Sequence, residues 1–303
     1  MAIAIAPRAK PRRRSRGPRR AIGRGWIIAT YIGLIFFLLW TLVPFLWMFL
    51  ASVKTNKEIY QEFTFLPTVW TFEHYQSLFS ATTAGRSRAS ANFSRWLLNS
   101  ALVSLIVTGI SIVLGALAAY AITRLRFTGR PSLARGLIFT YLLPNALLFI
   151  PLFGIVAGLN QVDKLTALIL VYPSFTLPFC TWMMCSYFRS IPVELEDAAL
   201  IDGCDRLGVL FRVVLPLSAP AVAVVALFAF TQSWNEFLYA LVFTNSLASR
   251  TVTVGLTQML GEDVFFWGQM MAGALITAVP PVILYMFAQR LVISGLAAGG
   301  VKG

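Results

Sequence analysis

Charge disappears from this chain and returns in a repeating rhythm. Residues 26–51 run for 26 positions without a charged side chain, and five further runs follow at 96–122, 136–158, 165–188, 219–243 and 269–289. Glu236 is the one acid inside any of them. A bilayer-spanning helix needs about 20 consecutive, mostly apolar residues. A surface helix of a soluble domain instead alternates an apolar stripe with a polar face, and these runs do not. The pattern predicts an all-α membrane protein with six transmembrane helices. The first run follows a basic stretch, as a signal peptide does, but it is longer than the roughly 7–15 residues of a signal-peptide core. It reads as the first helix.

Composition agrees with the pattern: 58% of the 303 residues are hydrophobic and 12% charged, against about 25% charged in an ordinary soluble domain. Charge then orients the chain. The tail 1–25 holds nine Lys and Arg and no acid; with the loops 123–135 and 188–217 and the C-terminus, one side collects 18 basic residues and the other 7. Lys and Arg concentrate on the cytosolic side, so both termini are expected in the cytosol of a multi-pass protein of a bacterial or archaeal cell (inner) membrane. The expected organisation is a basic tail, 1–25; a first helix and external loop, 26–93; a core of five helices, 94–293; and a cytosolic tail, 294–303. The formal charge of +13 lies largely in the first tail. Beside a membrane helix such a run fixes topology and touches anionic lipid, and it predicts no nucleic-acid partner.

Several chemistries find no support. Cys180, Cys185 and Cys204 have no metal or disulfide spacing. His74 has no partner motif and reads as a solvated side chain of an external loop. No Walker-type phosphate loop occurs, so the chain itself is expected to bind no cofactor and hydrolyse no ATP.

Five of the twelve acids crowd between Glu194 and Asp205. The surrounding segment, FRSIPVELEDAALIDGCDRLGVLFRVVLP, lies between the fourth and fifth runs. Pro192 suits a first helical turn, and Glu194, Glu196 and Asp197 follow where the helix dipole favours negative charge. Asp202–Gly203 reads as a stop with a left-handed glycine. Asp205 then caps a second short helix carrying Leu207, Leu210, Phe211 and Val214 and ending before Pro216. The small Ala198 and Ala199, flanked by acids, let another surface approach closely. A solvated connector whose acids merely cap a helix is the plainer alternative.

LEDAALIDGCDRLGVLFRVVLPL resembles the EAA motif of binding-protein-dependent ABC importer permeases. Asp197–Ala198–Ala199 stand at the Glu-Ala-Ala positions, Asp202–Gly203 at the Asp-Gly, Phe211 at the aromatic and Leu215–Pro216 at the Leu-Pro. WNEF at 234–237, GALAAYAITRLRF at 115–127 and the ending AQRLVISGLAAGGVKG are similar to the carbohydrate-uptake subfamily with maltose-transporter-type six-helix permeases. The likeness spans residues 26–303. It implies a cytosolic coupling helix between helices 4 and 5, a second permease subunit, two ATPase subunits holding Mg-ATP, and an extracytoplasmic sugar-binding protein. It also implies ATPase docking by Glu196, Asp197, Ala198, Ala199, Asp202, Gly203 and Phe211. Asp197 fills the motif position and Glu196 precedes it, and either carboxylate could make the contact. The C-terminal tail, with Gly299, Gly300 and Lys302, would reach the same partner as a slim strand.

The solute path is expected around Glu236 with Gln232, Trp234 and Asn235, because an ionisable residue inside a span is costly unless it serves a purpose. Pairing with a neighbouring helix is the alternative. Hydrogen-bonding groups beside aromatic faces suit a sugar, and the resemblance implies a di- or oligosaccharide; another solute such as glycerol phosphate is the second choice. A secondary transporter would need internal repeats and intramembrane charges for ion coupling; the sequence shows one such acid and no evident repeat. Two external segments, 52–94 and 244–268 with GEDVFFW near its end, are long enough to meet a binding protein.

Overall fold

The computed structural model describes residues 24–61, 64–80, 89–260 and 266–300, with residues 24, 89, 90, 138 and 292–300 described by backbone alone. The elements are α1 (Arg24–Ser52), α2 (Asn56–Tyr60), α3 (Glu73–Phe79), a 3-10 turn (Ala89–Asn92), α4 (Phe93–Arg124), α5 (Arg130–Leu142), α6 (Asn145–Gly158), α7 (Leu165–Val171) and α8 (Pro173–Phe188). Then come α9 (Val193–Ile201), α10 (Arg206–Val209), a π turn (Leu210–Val214), α11 (Leu215–Leu217), α12 (Ala219–Asn235), α13 (Leu238–Phe243), α14 (Val252–Gln258) and α15 (Trp267–Gly300). No strand occurs among the described residues.

Four helical stretches are long and apolar enough to cross a membrane: Gly25–Ser52, Phe93–Arg124, Leu165–Phe188 and Trp267–Leu291. The count rises to six if each of two bent pairs is one span. The expected third run, 136–158, is not one rod: α5 and α6 meet at 103°. Pro144 has no N–H for the helical ladder and disfavours helix in the residue before it, and Leu143 is extended (ψ 134). The expected fifth run, 219–243, also breaks, because α12 ends at Asn235 and α13 starts at Leu238. A second bend, of 85°, separates Arg206–Leu217 from α12.

The chain divides into a first unit ending at Trp47 and a second from Met48 onward. In the first, the apolar side chains of α1 stay exposed from Trp26 to Leu46. In the second, α4 packs chiefly on α8 and α12, and α12 on α15. Gly115 makes the α4–α8 approach close: a Cβ there would lie 3.5 Å from the Cys180 Cβ. Small residues do this wherever helices pack in lipid. Ser111 and Thr176 bond their hydroxyls across the same interface at 2.8 Å. One buried cluster joins Ile122, Met184, Phe188, Val209, Leu210 and Val214, so the short helices after α8 are seated on the ends of α4 and α8.

Loops are tied down largely through their backbone N–H and carbonyl groups. Asp163, in the left-handed region (φ 64), accepts from the backbone N–H of Asn245 and of Ser246 at 2.8 Å each and from the Ser249 hydroxyl. The Ser246 and Ser249 bonds are the largest causes that hold its carboxyl down at about 2. At the start of α4, Trp96 Nε1 donates to the Leu247 carbonyl at 2.9 Å, and Asn99 Nδ2 to those of Ala248 and Arg250 at 2.9 and 2.8 Å. Ser100 Oγ accepts from the Val252 N–H at 2.9 Å.

Candidate functional site

The acidic segment folds as expected at its turns. Pro192 precedes α9, with Glu194 and Glu196 in the first turn. The helix closes with Asp202 N–H on the Ala198 carbonyl (2.9 Å) and Cys204 N–H on the Ala199 carbonyl (3.0 Å). Gly203 turns the chain at φ +86, a conformation that costs other residues roughly 1–2 kcal/mol. Asp205 Oδ1 accepts from the Gly208 N–H at 2.7 Å and caps α10. After α10 the ladder widens into the π turn, just before Pro216, which has no N–H to donate.

The segment has two faces. Leu210 and Val214 are fully buried, whereas Leu207 and Phe211 are about half exposed, so the four apolar positions divide between the core and the outside. On the outside with them are Leu195, Asp197, Ala198, Ile201, Asp202 and Gly203. Ile201 is 87% exposed, at the tip of the turn. An apolar side chain held out at a turn, beside small residues and acids, leaves an uncovered mixed face on the outside of the segment.

Glu196 is not on that face. It is 1% exposed and accepts from Arg124 Nε at 2.6 Å. Arg124 Nη2 also donates to the carbonyls of Phe188 (2.6 Å) and Ile191 (3.0 Å). This corrects the expectation of Glu196 as a docking residue: the inward side of α9 uses it to bind the end of α4. Asp197, one residue on, is exposed. Arg124 went unnoticed in the sequence, since nothing local marks a partner 72 positions away.

The solute-path residues divide as well. A cavity of about 230 Å³ is lined by Asn145, Phe175, Gln232, Asn235, Glu236, Phe237 and Tyr239. It lies where both helix breaks meet, so Asn145 and Tyr239 join the site through geometry that a continuous-helix reading could not give. Trp234 does not line it. Its ring is 1% exposed, stacks on Phe230 at 5.4 Å and donates Nε1 to the Thr277 carbonyl at 3.1 Å, facing α15.

Glu236 has structural partners of its own. Oε1 accepts from the Tyr239 N–H at 2.9 Å, and Oε2 accepts from the Ala240 N–H at 3.0 Å and the Tyr172 hydroxyl at 2.9 Å. The carboxylate therefore caps α13 and binds it to α7–α8, satisfying N–H groups freed by the break.

His74 is not solvated. It is 3% exposed, and its Nε2–H bonds the Lys54 carbonyl at 2.8 Å. Burial lowers its basicity. The expected C-terminal strand is helix as far as Gly300, so Gly299 and Gly300 end α15, and Lys302 lies outside the described residues. Residues 261–265 of GEDVFFW and residues 1–23 of the basic tail lie outside them too. Among the described residues, no group of three or more His, Cys, Asp or Glu could hold a metal ion.

Residues 111–297 match the family described as binding-protein-dependent transport system inner membrane component. The chain is 39% identical to the inner membrane ABC transporter permease protein YcjP of Escherichia coli, over 91% of this chain and 96% of that protein. It is 41% identical to the sulfoquinovosyl glycerol transport system permease protein SmoH of Agrobacterium fabrum, over 86% and 89% of the two. Its fold is shared with a chain of a bacterial ABC transporter involved in the import of the acidic polysaccharide alginate, at a TM-score of 0.74 and 22% identity, covering 88% of this chain and 96% of that one.

Proposed function

This chain belongs to the binding-protein-dependent transport system inner membrane components, and from that premise we propose how it works: it is the translocation subunit of an ABC importer that carries a carbohydrate, a di- or oligosaccharide, into the cell. The observation that carries the mechanism is the α9–α10 unit, with an outer face of Asp197, Ala198, Ile201, Asp202, Gly203 and Phe211 and an inner face bonded to α4. Such a unit serves as a handle. A partner with apolar walls and a basic rim takes the outer face, and the inner face passes the movement on as a rigid body.

Six spans with both termini in the cytosol fit the basic-residue asymmetry, each bent pair counting as one crossing. The handle then lies in the cytosol, where two ATPase subunits with Mg-ATP would grip it and an equivalent handle on a second permease subunit. Asp197 is the acid for a basic residue of the ATPase. The C-terminus, with Gly299, Gly300 and Lys302, would reach the same partner, and the basic tail would touch anionic lipid. The loop held by Asp163, Trp96 and Asn99 would face a sugar-loaded binding protein outside. Asn145, Gln232 and Asn235 beside Phe175 and Tyr239 offer donors, acceptors and ring faces, the chemistry a sugar hydroxyl array needs. The names of relatives, a sulfoquinovosyl glycerol transport system permease and a trehalose/maltose transport system permease, support the class.

The test is co-purification with, and ATP-driven uptake through, the ATPase encoded with this chain. An intact protein in which deletion of 196–203 leaves ATPase binding unchanged would sink the handle.

A further inference from the structure

We infer that α4 is a rod that carries movement of the α9–α10 handle to the 247–252 loop held at its other end; the inference rests on the importer reading above. Arg124, at the last residue of α4, is its positioning residue.

Each end of α4 is fastened to something that is not its neighbour in the chain. At one end the Arg124 guanidinium holds Glu196 of α9 and the carbonyls of Phe188 and Ile191, all within 3.0 Å. This grip spans the turn that enters the handle and the first turn of the handle itself. Tyr120, one helical turn back and 4% exposed, lies in one buried cluster with Val209 of α10, so both helices of the handle bear on the foot of α4. At the other end Trp96, Asn99 and Ser100 hold the loop by its backbone at four points between Leu247 and Val252. The Trp96 ring also lies flush on the backbone of α14, where a Cβ at Gly255 would come within 2.0 Å of it. Bonds to backbone groups fix where a segment sits, and both ends of α4 use them.

Between these grips α4 is the stiffest path available. It runs 32 residues without interruption. From Asn99 to Arg124 it spans about 38 Å at ~1.5 Å per residue, more than the roughly 30 Å hydrocarbon core. Of the four described stretches long enough to cross a membrane, only this one has no interior proline: Pro44, Pro173 with Pro178, and Pro280 with Pro281 lie within the others, each without an N–H for the ladder. The handle's own covalent routes are less direct. One leads through the 85° bend into α12, which stops at Asn235. The other leads up α8 to Pro173, where the backbone stays helical at Tyr172 but the proline has no N–H to donate, and α8 itself packs along α4. Arg124 gives a displacement of α9 a direct hold on the one of these stretches without a proline.

The experiment uses the whole complex with its ATPase and second permease. Leu247→Cys supplies a thiol on an exposed loop residue, with Cys204→Ser as background; Cys180 and Cys185 are buried. The rate of thiol labelling is measured before and after trapping with Mg-ATP and orthovanadate. The rod predicts that trapping changes the rate about tenfold, within the usual range of coupling between sites. It also predicts that the change shrinks below about twofold in Arg124→Met and in Asn99→Leu, while both complexes still assemble and trap vanadate, and that the double variant is no worse than either single one. A full response in assembled Arg124→Met or in Asn99→Leu overturns the rod. Should Arg124→Met fail to assemble, Asn99→Leu, remote from the handle, still decides. A chain that binds no ATPase, or a complex that traps no vanadate, overturns the importer reading itself, a result separate from loss of the loop response alone.

Discussion

Glu196 and Asp197 are adjacent in the chain and serve opposite sides of one helix. Glu196 is sealed at 1% exposure against Arg124, and Asp197 is exposed beside Ala198. The two carboxylates should therefore separate in experiment. Glu196→Ala leaves the Arg124 guanidinium, itself 9% exposed, without its charge partner, and breaking a buried pair costs about 3–5 kcal/mol. Its thermal midpoint should fall well below that of the intact protein. Asp197→Lys should hold folding stability within about 0.5 kcal/mol, as surface changes do, while ATPase co-purification is lost. Equal loss of stability in both variants would contradict the two-faced helix.

The cavity residues should separate in the same way. Gln232 and Asn235 are exposed on it, so replacing either with alanine should raise the uptake KM several-fold and leave thermal stability unchanged. Glu236 accepts two backbone N–H groups and the Tyr172 hydroxyl. Glu236→Ala strands those donors, at about 1–3 kcal/mol for each one left buried and unpaired, and should lower the midpoint before any effect on transport can be read. An unstable Asn235→Ala, or a Glu236→Ala as stable as the parent, would reverse these roles.

What the sequence made legible was whatever depends on local pattern. Charge-free runs marked the four stretches long and apolar enough to cross a membrane, and Asp205 and Gly203 took the cap and turn their chemistry suits. Positions set by distant contacts were not legible. Burial of Glu196 depends on Arg124, 72 residues away, and burial of His74 on the Lys54 carbonyl. The two broken runs were missed because an apolar stretch reads alike whether straight or bent. Pro144 signals its break, but at the α12–α13 break the sequence offers only Glu236, whose carboxylate makes up for the lost bonds. Trp234 shows the same limit, since a signature aromatic two positions from an acid gives no sign of which way it turns.

Gly203 tests the turn without touching a contact within the chain. Its φ is +86 and an added Cβ would meet nothing within 4 Å, so conformation alone sets the cost. Gly203→Ala should lose roughly 1–2 kcal/mol, and Gly203→Asn less, because asparagine tolerates the left-handed region. Calorimetry of the two variants measures the difference, and equal destabilisation would point to a crowded turn instead.

His74 gives the loop around α3 a dependence on pH. Burial, the largest cause, pushes its pKa below the ordinary 6.5; the Lys54 carbonyl and Glu73 oppose it. The folded state thus favours the neutral ring, and the unfolded chain takes up the proton first. Stability from this group is complete above about pH 6.5 and declines as pH falls from there through the lowered folded value. Protease resistance of the 64–80 segment should drop between pH 7.5 and 5.5. His74→Gln keeps a donor for the Lys54 carbonyl but does not titrate, and it should flatten that slope; an unchanged slope would assign the pH dependence to another group. The ring also lies against the start of α15, where a Cβ on Gly268 would come within 2.1 Å of His74 Nε2. Gly268→Ala should accordingly displace the ring at a cost of about 1–3 kcal/mol, exposing the same segment to protease at pH 7.5 as acid does in the parent protein.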